Sequence, residues 1–107
     1  MRRKILFICG RAKKRSLTAE DVYASSVDIE ARSAGISPDS DNPVTPESIQ
    51  WADQILVMEN VHKKKLNREF GEHLSSKRVG VLGIPDKYEY MDPQLVIRIR
   101  KTTAQFI

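Results

Sequence analysis

Cys9 is the only cysteine of this chain, and Arg15 and Ser16 follow it after the five residues Gly10-Arg-Ala-Lys-Lys14. A thiolate is a strong nucleophile, and a guanidinium is a planar, two-pronged partner for phosphoryl oxygens. The apolar run Ile5-Leu-Phe-Ile8 leads straight into Cys9, and Thr18-Ala-Glu-Asp-Val-Tyr23 behind Ser16 reads as a helix. A strand that ends in a basic loop and feeds a helix is a place to hold an anion. The loop N–H groups converge on the ligand, and the helix N-terminus adds partial positive charge. A cysteine at the floor of such a cup lies in a field that favours the attacking thiolate. The pattern therefore points to a phosphate-cradling loop with a cysteine nucleophile.

The hydrophobic pattern shows which elements must position that loop. Lys4–Ile8 is a continuous apolar run, as expected of a strand buried on both faces. Asp28–Ser33 alternates weakly and reads as an edge strand closed by Ala34-Gly35, and residues 35–44 are rich in turn formers. Thr45 is an N-cap with Pro46 at the first helical position, opening a short helix to about Trp51. Gln54–Met58 is a second buried strand, and Asn60 caps a helix through Phe70. Val61, Leu66 and Phe70 are expected on its inner side, with Lys63, Lys64 and Lys65 as a solvated face. Arg78–Ile84 is a further apolar strand, followed by the loop 85–91. Asp92 caps and Pro93 starts a last helix, in which Leu95, Val96, Ile99 and Phe106 recur at helical spacing. Strands alternating with helices imply a parallel sheet covered on both faces, with ligands bound beyond the carboxyl ends of its strands. Cys9 and the Pro85-Asp86 segment both lie just past strand ends, so they can meet on one rim.

At 107 residues the chain is read as one domain, 1–107, with 40% hydrophobic and 30% charged residues. No apolar run is long enough for a membrane span or a secretory signal, and one cysteine cannot form an internal disulfide. His62 and His73 stand apart without metal-ligand spacing and read as surface residues. A cytoplasmic protein with no cofactor and no metal is expected. Residues 1–15 carry seven of the 18 Lys and Arg and none of the 14 acids, so the rest of the chain is net negative. The positive excess belongs to the first strand and its loop, which favours an anionic ligand there. Neither a membrane nor a nucleic acid is expected as a partner, and the sequence leaves the oligomeric state open.

Cys9-x5-Arg15-Ser16, set directly after a strand near the N-terminus, resembles the signature of low-molecular-weight protein tyrosine phosphatases, and the likeness extends through the chain in family order. Ser16-Leu-Thr-Ala-Glu20 resembles the family's Ser-Pro-x-Ala-Glu helix start, and Arg32-Ser-Ala-Gly35 its Ser-Ala-Gly turn. Ala52-Asp-Gln-Ile-Leu-Val-Met58 resembles its Ala-Asp-x-Ile-x-x-Met strand, and Pro85-Asp-Lys-Tyr88 its Asp-Pro-Tyr segment. In length the chain is most similar to a compact bacterial branch of predicted phosphatases. The resemblance implies an α/β three-layer sandwich: a four-stranded parallel sheet in order 2-1-3-4 with helices on both faces. It also implies a metal-free, two-step hydrolysis through a phosphocysteine. By position, Cys9 is the nucleophile, Arg15 grips the phosphoryl oxygens, Ser16 donates to the sulfur and Asp86 is the general acid and base. Gly10, Arg11, Ala12, Lys13, Lys14 and Arg15 form the phosphate loop, with Tyr88 assigned to substrate binding beside it. The family has aromatics there as walls for the substrate's ring, and Tyr88 and Tyr90 are each open to that role or to packing. Arg11 and Ala12 stand where the family has Gly and Asn, Lys14 where many members have a second cysteine, Lys87 where it has Pro.

Asp86 is preferred to Asp92 as the acid, because Asp92 has a sufficient role as an N-cap. The substrate expected is a phosphorylated protein or small phosphomonoester, phosphotyrosine first. Two other functions fit the same residues. A phosphocarrier resembling the IIB components of sugar phosphotransferase systems also uses a phosphocysteine after its first strand, but needs neither Arg15 nor Asp86. A non-catalytic phosphate-binding module on the same scaffold would need only the loop. The plainest reading of a lone cysteine after an apolar run is an inert buried residue, and Trp51 and Met58 read as core.

Overall fold

The computed structural model describes residues 2–107. Its centre is β1 (Arg3–Cys9), whose residues from Phe7 to Cys9 are all buried. Parallel strands flank it on both sides in the order β2-β1-β3-β4, the order that the resemblance implied, with β2 (Ile29–Gly35), β3 (Gln54–Val57) and β4 (Arg78–Val81). The register pairs Cys9 with Gly35 and Ile8 with Val57. Each crossover is covered by a helix: α1 (Arg15–Val22), α2 (Pro46–Trp51), α3 (Asn60–Phe70) and, after β4, α4 (Pro93–Thr103). A short 3-10 turn, Gly71–Leu74, follows α3.

The period-two alternation of strand side chains divides the core into two layers. Ile5, Phe7, Leu56 and Met58 pack with Ala19 and Tyr23 of α1 and Leu95 and Ile99 of α4. Leu6, Ile8, Ile55 and Val57 pack on the other face with Ile49 of α2 and Leu66 of α3. Both faces of β1 and β3 are therefore dry, which is why their sequences read as unbroken apolar runs. Among the described residues, no helix is long and apolar enough to cross a membrane.

Several expectations need correction. Helix α1 begins at Arg15, not Thr18, so Arg15 and Ser16 are helical residues in its first turn. Strand β2 runs on through Ala34 and Gly35, because it stays paired with β1 as far as Cys9. Strand β4 stops at Val81 rather than Ile84: its only partner, β3, ends at Val57, and Gly83 turns the chain at φ +73°. The N-cap of α3 is Glu59, not Asn60, and the buried stripe of that helix is His62 and Leu66, four residues apart, while Val61 is exposed. Trp51 is half-buried, stacked under the Arg32 guanidinium at 4.2 Å, whereas Met58 is core as expected. The caps of α2 and α4 stand as read: Thr45 Oγ1 accepts from Ser48 N–H, and Asp92 Oδ1 from Gln94 N–H.

The basic residues of the N-terminus also divide. Six residues of strand, roughly 20 Å at 3.3 Å per residue, separate Arg3 from Cys9. Arg2 and Arg3 therefore lie at the foot of the sheet, lining a shallow cleft of about 450 Å³ with Asp53, Gln54 and Arg78. Only Arg11, Lys13, Lys14 and Arg15 belong to the loop at the opposite rim.

Candidate active site

The carboxyl ends of β1 and β3 bring the functional side chains together. Cys9 closes β1, and its Sγ is buried at the floor of the loop, where Ala12 N–H donates to it at 3.2 Å. Ser16 Oγ, in the first turn of α1, shares a hydrogen bond of 3.0 Å with the same sulfur. No side chain caps α1, so its first N–H groups stay open toward the loop. Among the described residues, the amides of Gly10, Arg11, Lys13 and Lys14 also meet no protein acceptor. Such a set of amides, ahead of a helix N-terminus and over a sulfur, suits an anion.

The loop keeps this shape through two local devices. Ala12 adopts the left-handed conformation, φ 61°, whereas Arg11, at the family's glycine position, does not. A left-handed alanine is strained, and the strain is held by the packing of the loop against residues 35–44. Ser40 Oγ donates to Arg11 O at 2.7 Å, and Ser37 N–H donates to Gly10 O at 2.9 Å. Gly35 makes this approach possible, since a Cβ there would lie 2.3 Å from Ser40 Oγ and 2.8 Å from the Arg11 carbonyl carbon. Arg11 itself reaches outward to Asp39 at 3.2 Å. A hydrogen bond from the Ser37 hydroxyl, and then the Arg11 charge, hold the Asp39 carboxyl below its usual range.

Arg15 is the buried cation of the site, 5% exposed. Its Nη1 donates to Glu59 Oε1 at 2.5 Å and to Ile84 O at 2.8 Å, and its Nε lies 3.8 Å from Asp86 Oδ1. Asp86 stands at the tip of a tight turn in which Lys87 N–H donates back to Pro85 O at 3.0 Å, and its carboxylate is largely exposed. The rest of that segment is fastened to the helices. Met91 N–H donates to Thr18 Oγ1 at 3.0 Å, the Tyr90 hydroxyl donates to Asp21, and Lys14 pairs with Glu89 at 3.3 Å. Asp92 is spent on capping α4.

These groups surround a cleft of about 400 Å³ lined by Gly10, Arg11, Lys14, Arg15, Ser37, Glu59, His62 and Asp86. Cys9 and Ser16 are buried and do not line it. Tyr88 stands apart from that lining: it is half-buried against the core, and its hydroxyl accepts from Arg98 Nη1 at 3.3 Å. Lys13 and Ala12 contribute backbone rather than lining. Among the described residues, no cluster of three or more His, Cys, Asp or Glu side chains could hold a metal ion.

Neither a protein-family model nor a curated protein sequence matches the chain. Solved structures do. A low-molecular-weight protein tyrosine phosphatase from Streptococcus pyogenes is 19% identical, with a TM-score of 0.76 over 97% of this chain and 90% of that one. Vibrio vulnificus Wzb in complex with benzylphosphonate is 20% identical, with a TM-score of 0.74 over 97% and 96%. A mutant of YwlE from Bacillus subtilis is 21% identical, with a TM-score of 0.73 over 97% and 95%. The fold is that of the low-molecular-weight phosphatases.

Two residues of this phosphatase fold's rim escaped the sequence reading. Glu59 has no role in the sequence reading and His62 reads there as a surface residue, but His62 is buried and its Nδ1 accepts the Glu59 N–H at 3.1 Å. Burial first, then the Arg15 charge, push the His62 imidazole below its usual pKa of 6.5. A signal was present: Glu59 is the second residue past the carboxyl end of β3, on the same rim of the sheet as Cys9.

Proposed function

We propose that this chain is a cysteine-dependent phosphatase working in the cytosol. Its reaction is hydrolysis of a phosphomonoester through a phosphocysteine on Cys9. The observation that carries this reading is the contact set of one sulfur: Cys9 Sγ meets Ala12 N–H and Ser16 Oγ within the loop whose Gly10, Arg11 and Lys14 line a cleft with Arg15 and Asp86. An inert buried cysteine needs none of these partners.

In the first step Cys9 Sγ bonds to phosphorus as the P–O bond of the ester breaks. Asp86 gives its proton to the departing oxygen. The loop amides and Arg15 take up the charge spread over the three equatorial oxygens. In the second step Asp86, now a carboxylate, takes a proton from water as the water oxygen bonds to phosphorus. The S–P bond breaks, inorganic phosphate leaves, and the Ser16 hydroxyl donates to the thiolate that returns. Gly10, Arg11, Ala12, Lys13 and Lys14 serve through the loop backbone, with Arg11 and Lys14 adding positive charge at the rim. Tyr88 anchors the acid's segment to α4 through Arg98 rather than walling the cleft.

Phosphotyrosine, or a similar aryl phosphate, is the substrate class we assign first. Solved relatives of this fold are named as tyrosine phosphatases, whereas YwlE is named an arginine phosphatase. The experiment is hydrolysis of p-nitrophenyl phosphate in EDTA, beside Cys9→Ser, followed by competition between phosphotyrosine and phosphoarginine peptides. Turnover that survives chelation and is lost in Cys9→Ser supports the phosphatase. Phosphate binding that depends on the Cys9 loop, without any turnover, would replace it with the carrier or binding module. Preference for phosphoarginine would keep the chemistry and change the substrate.

A further inference from the structure

Arg15 is buried, and its guanidinium has a front and a back. Nη1 is saturated from behind by Glu59 Oε1 and Ile84 O, at 2.5 and 2.8 Å. The Nε–Nη2 edge is the one side of the plane still able to offer two parallel N–H donors to an anion. Asp86 lies on that edge, 3.8 Å from Nε. We infer that Glu59 is a positioning residue: it clamps Nη1 so that the Nε–Nη2 edge of Arg15 faces the phosphoryl group and the general acid. This inference rests on the phosphatase reading of the cleft and adds to it a residue outside the Cys9 loop.

The clamp is itself fixed by secondary structure. Glu59 is the N-cap of α3, where its carbonyl oxygen accepts from the His62 N–H at 3.0 Å while His62 Nδ1 accepts from the Glu59 N–H at 3.1 Å. His62 Nε2 lies 4.0 Å from the same carboxylate oxygen that meets Arg15. The end of β3 and the start of α3 thereby fix the Glu59 backbone, from which the carboxylate reaches Arg15, before any ligand arrives. Such preorganisation keeps a long, flexible side chain from having to be ordered during the reaction. An alternative role for the same contact is competition, in which Glu59 occupies the cation and phosphate must displace it. The saturated Nη1 argues against that, because the edge left free is sufficient for a bidentate grip.

The test uses two variants that both leave the backbone hydrogen bonds at the start of α3 in place. Glu59→Gln removes the charge at unchanged length, and Glu59→Asp keeps the charge but is one methylene too short to reach Arg15. Inorganic phosphate affinity is measured by titration, alongside kcat and KM for p-nitrophenyl phosphate and the side-chain NMR signals of Arg15. Both variants should melt within a few degrees of the parent and weaken phosphate binding. They should lower kcat/KM roughly 10- to 100-fold, the size of one charge-assisted hydrogen bond. The loss should fall on kcat as well as KM, and the Arg15 guanidinium signals should lose their hindered rotation in Glu59→Asp. Tighter phosphate binding in Glu59→Gln would show a competitor instead of a clamp. Unchanged affinity and unchanged Arg15 signals in both variants would overturn the inference as well. Parent protein that binds phosphate but turns nothing over would sink the phosphatase reading alone, since the affinity and NMR comparisons still decide the role of Glu59.

Discussion

The two ends of this sheet are both rich in arginine, and they use it differently. At the foot, Arg2 Nη2 donates to Ser26 O and Ile29 O, and Arg3 Nη1 to Gln54 Oε1 and Phe106 O. Those guanidinium groups are exposed and bonded to neutral acceptors, so they staple the first strand to its neighbours. At the rim, Arg15 is buried and clamped by a carboxylate, and it follows the loop whose sulfur meets an amide and a hydroxyl. The same residue type is a staple in one place and a tool in the other. Burial and fixed partners separate them, not charge count.

That contrast can be broken by substitution. Arg15→Lys should cost on the order of 10²- to 10³-fold in kcat/KM, because an ammonium cannot reproduce the two-pronged grip. Arg3→Ala should leave kcat/KM within about twofold and lower stability by about 1 kcal/mol through its lost hydrogen bonds. Comparable losses in the two variants would mean that the foot takes part in catalysis. A pair of aspartates sharpens the same point. Asp86→Asn should lower kcat about 10²- to 10⁴-fold and flatten the limb of the pH profile that belongs to the general acid. Asp92→Asn should be nearly silent, since asparagine caps a helix as well as aspartate. Loss of that limb in Asp92→Asn alone would reassign the acid.

Smaller effects probe how the rim is held. Gly35→Ala puts a methyl group against the Arg11 carbonyl carbon, and the expected cost is about 1–3 kcal/mol of overpacking with a shifted loop. Chemical denaturation reads the first, and phosphate affinity the second. His62 gives a pH signature. Its folded pKa lies below 6.5, so between that value and 6.5 the unfolded chain binds more protons than the folded one. The contribution of His62 is complete above pH 6.5 and is lost as the pH falls through the folded value. Melting temperature should therefore drop on acidification across this window, and His62→Gln, which keeps a capping oxygen, should drop less. Equal slopes would remove His62 from the account.

Much of this was legible in the residues. Ile5–Ile8 and Gln54–Met58 are unbroken apolar runs because both of their faces are dry, and Asp92-Pro93 carries its own local reason to start a helix. Cys9, Arg15 and Ser16 were readable because their spacing is local to one loop. The partners that arrive from elsewhere were not. Glu59 and His62 take on their roles only when β3 lies beside β1, and a polar side chain buried by that neighbourhood looks in sequence like any solvated helix start. The basic N-terminus misled for the complementary reason: residues adjacent in sequence sit at opposite ends of a strand. Val61 and His62 show the same limit on a finer scale, because the rotation of α3 is set by the cap at Glu59.

The central claim is that Cys9 carries the phosphoryl group, and trapping that species tests it most directly. Turnover of an aryl phosphate would be quenched early, with Asp86→Asn used to slow the second step, and the intact protein and its peptides weighed. The account predicts one added phosphoryl group, mapped to Cys9 and absent from Cys9→Ala. Turnover without that adduct, or an adduct on any other side chain, would contradict it.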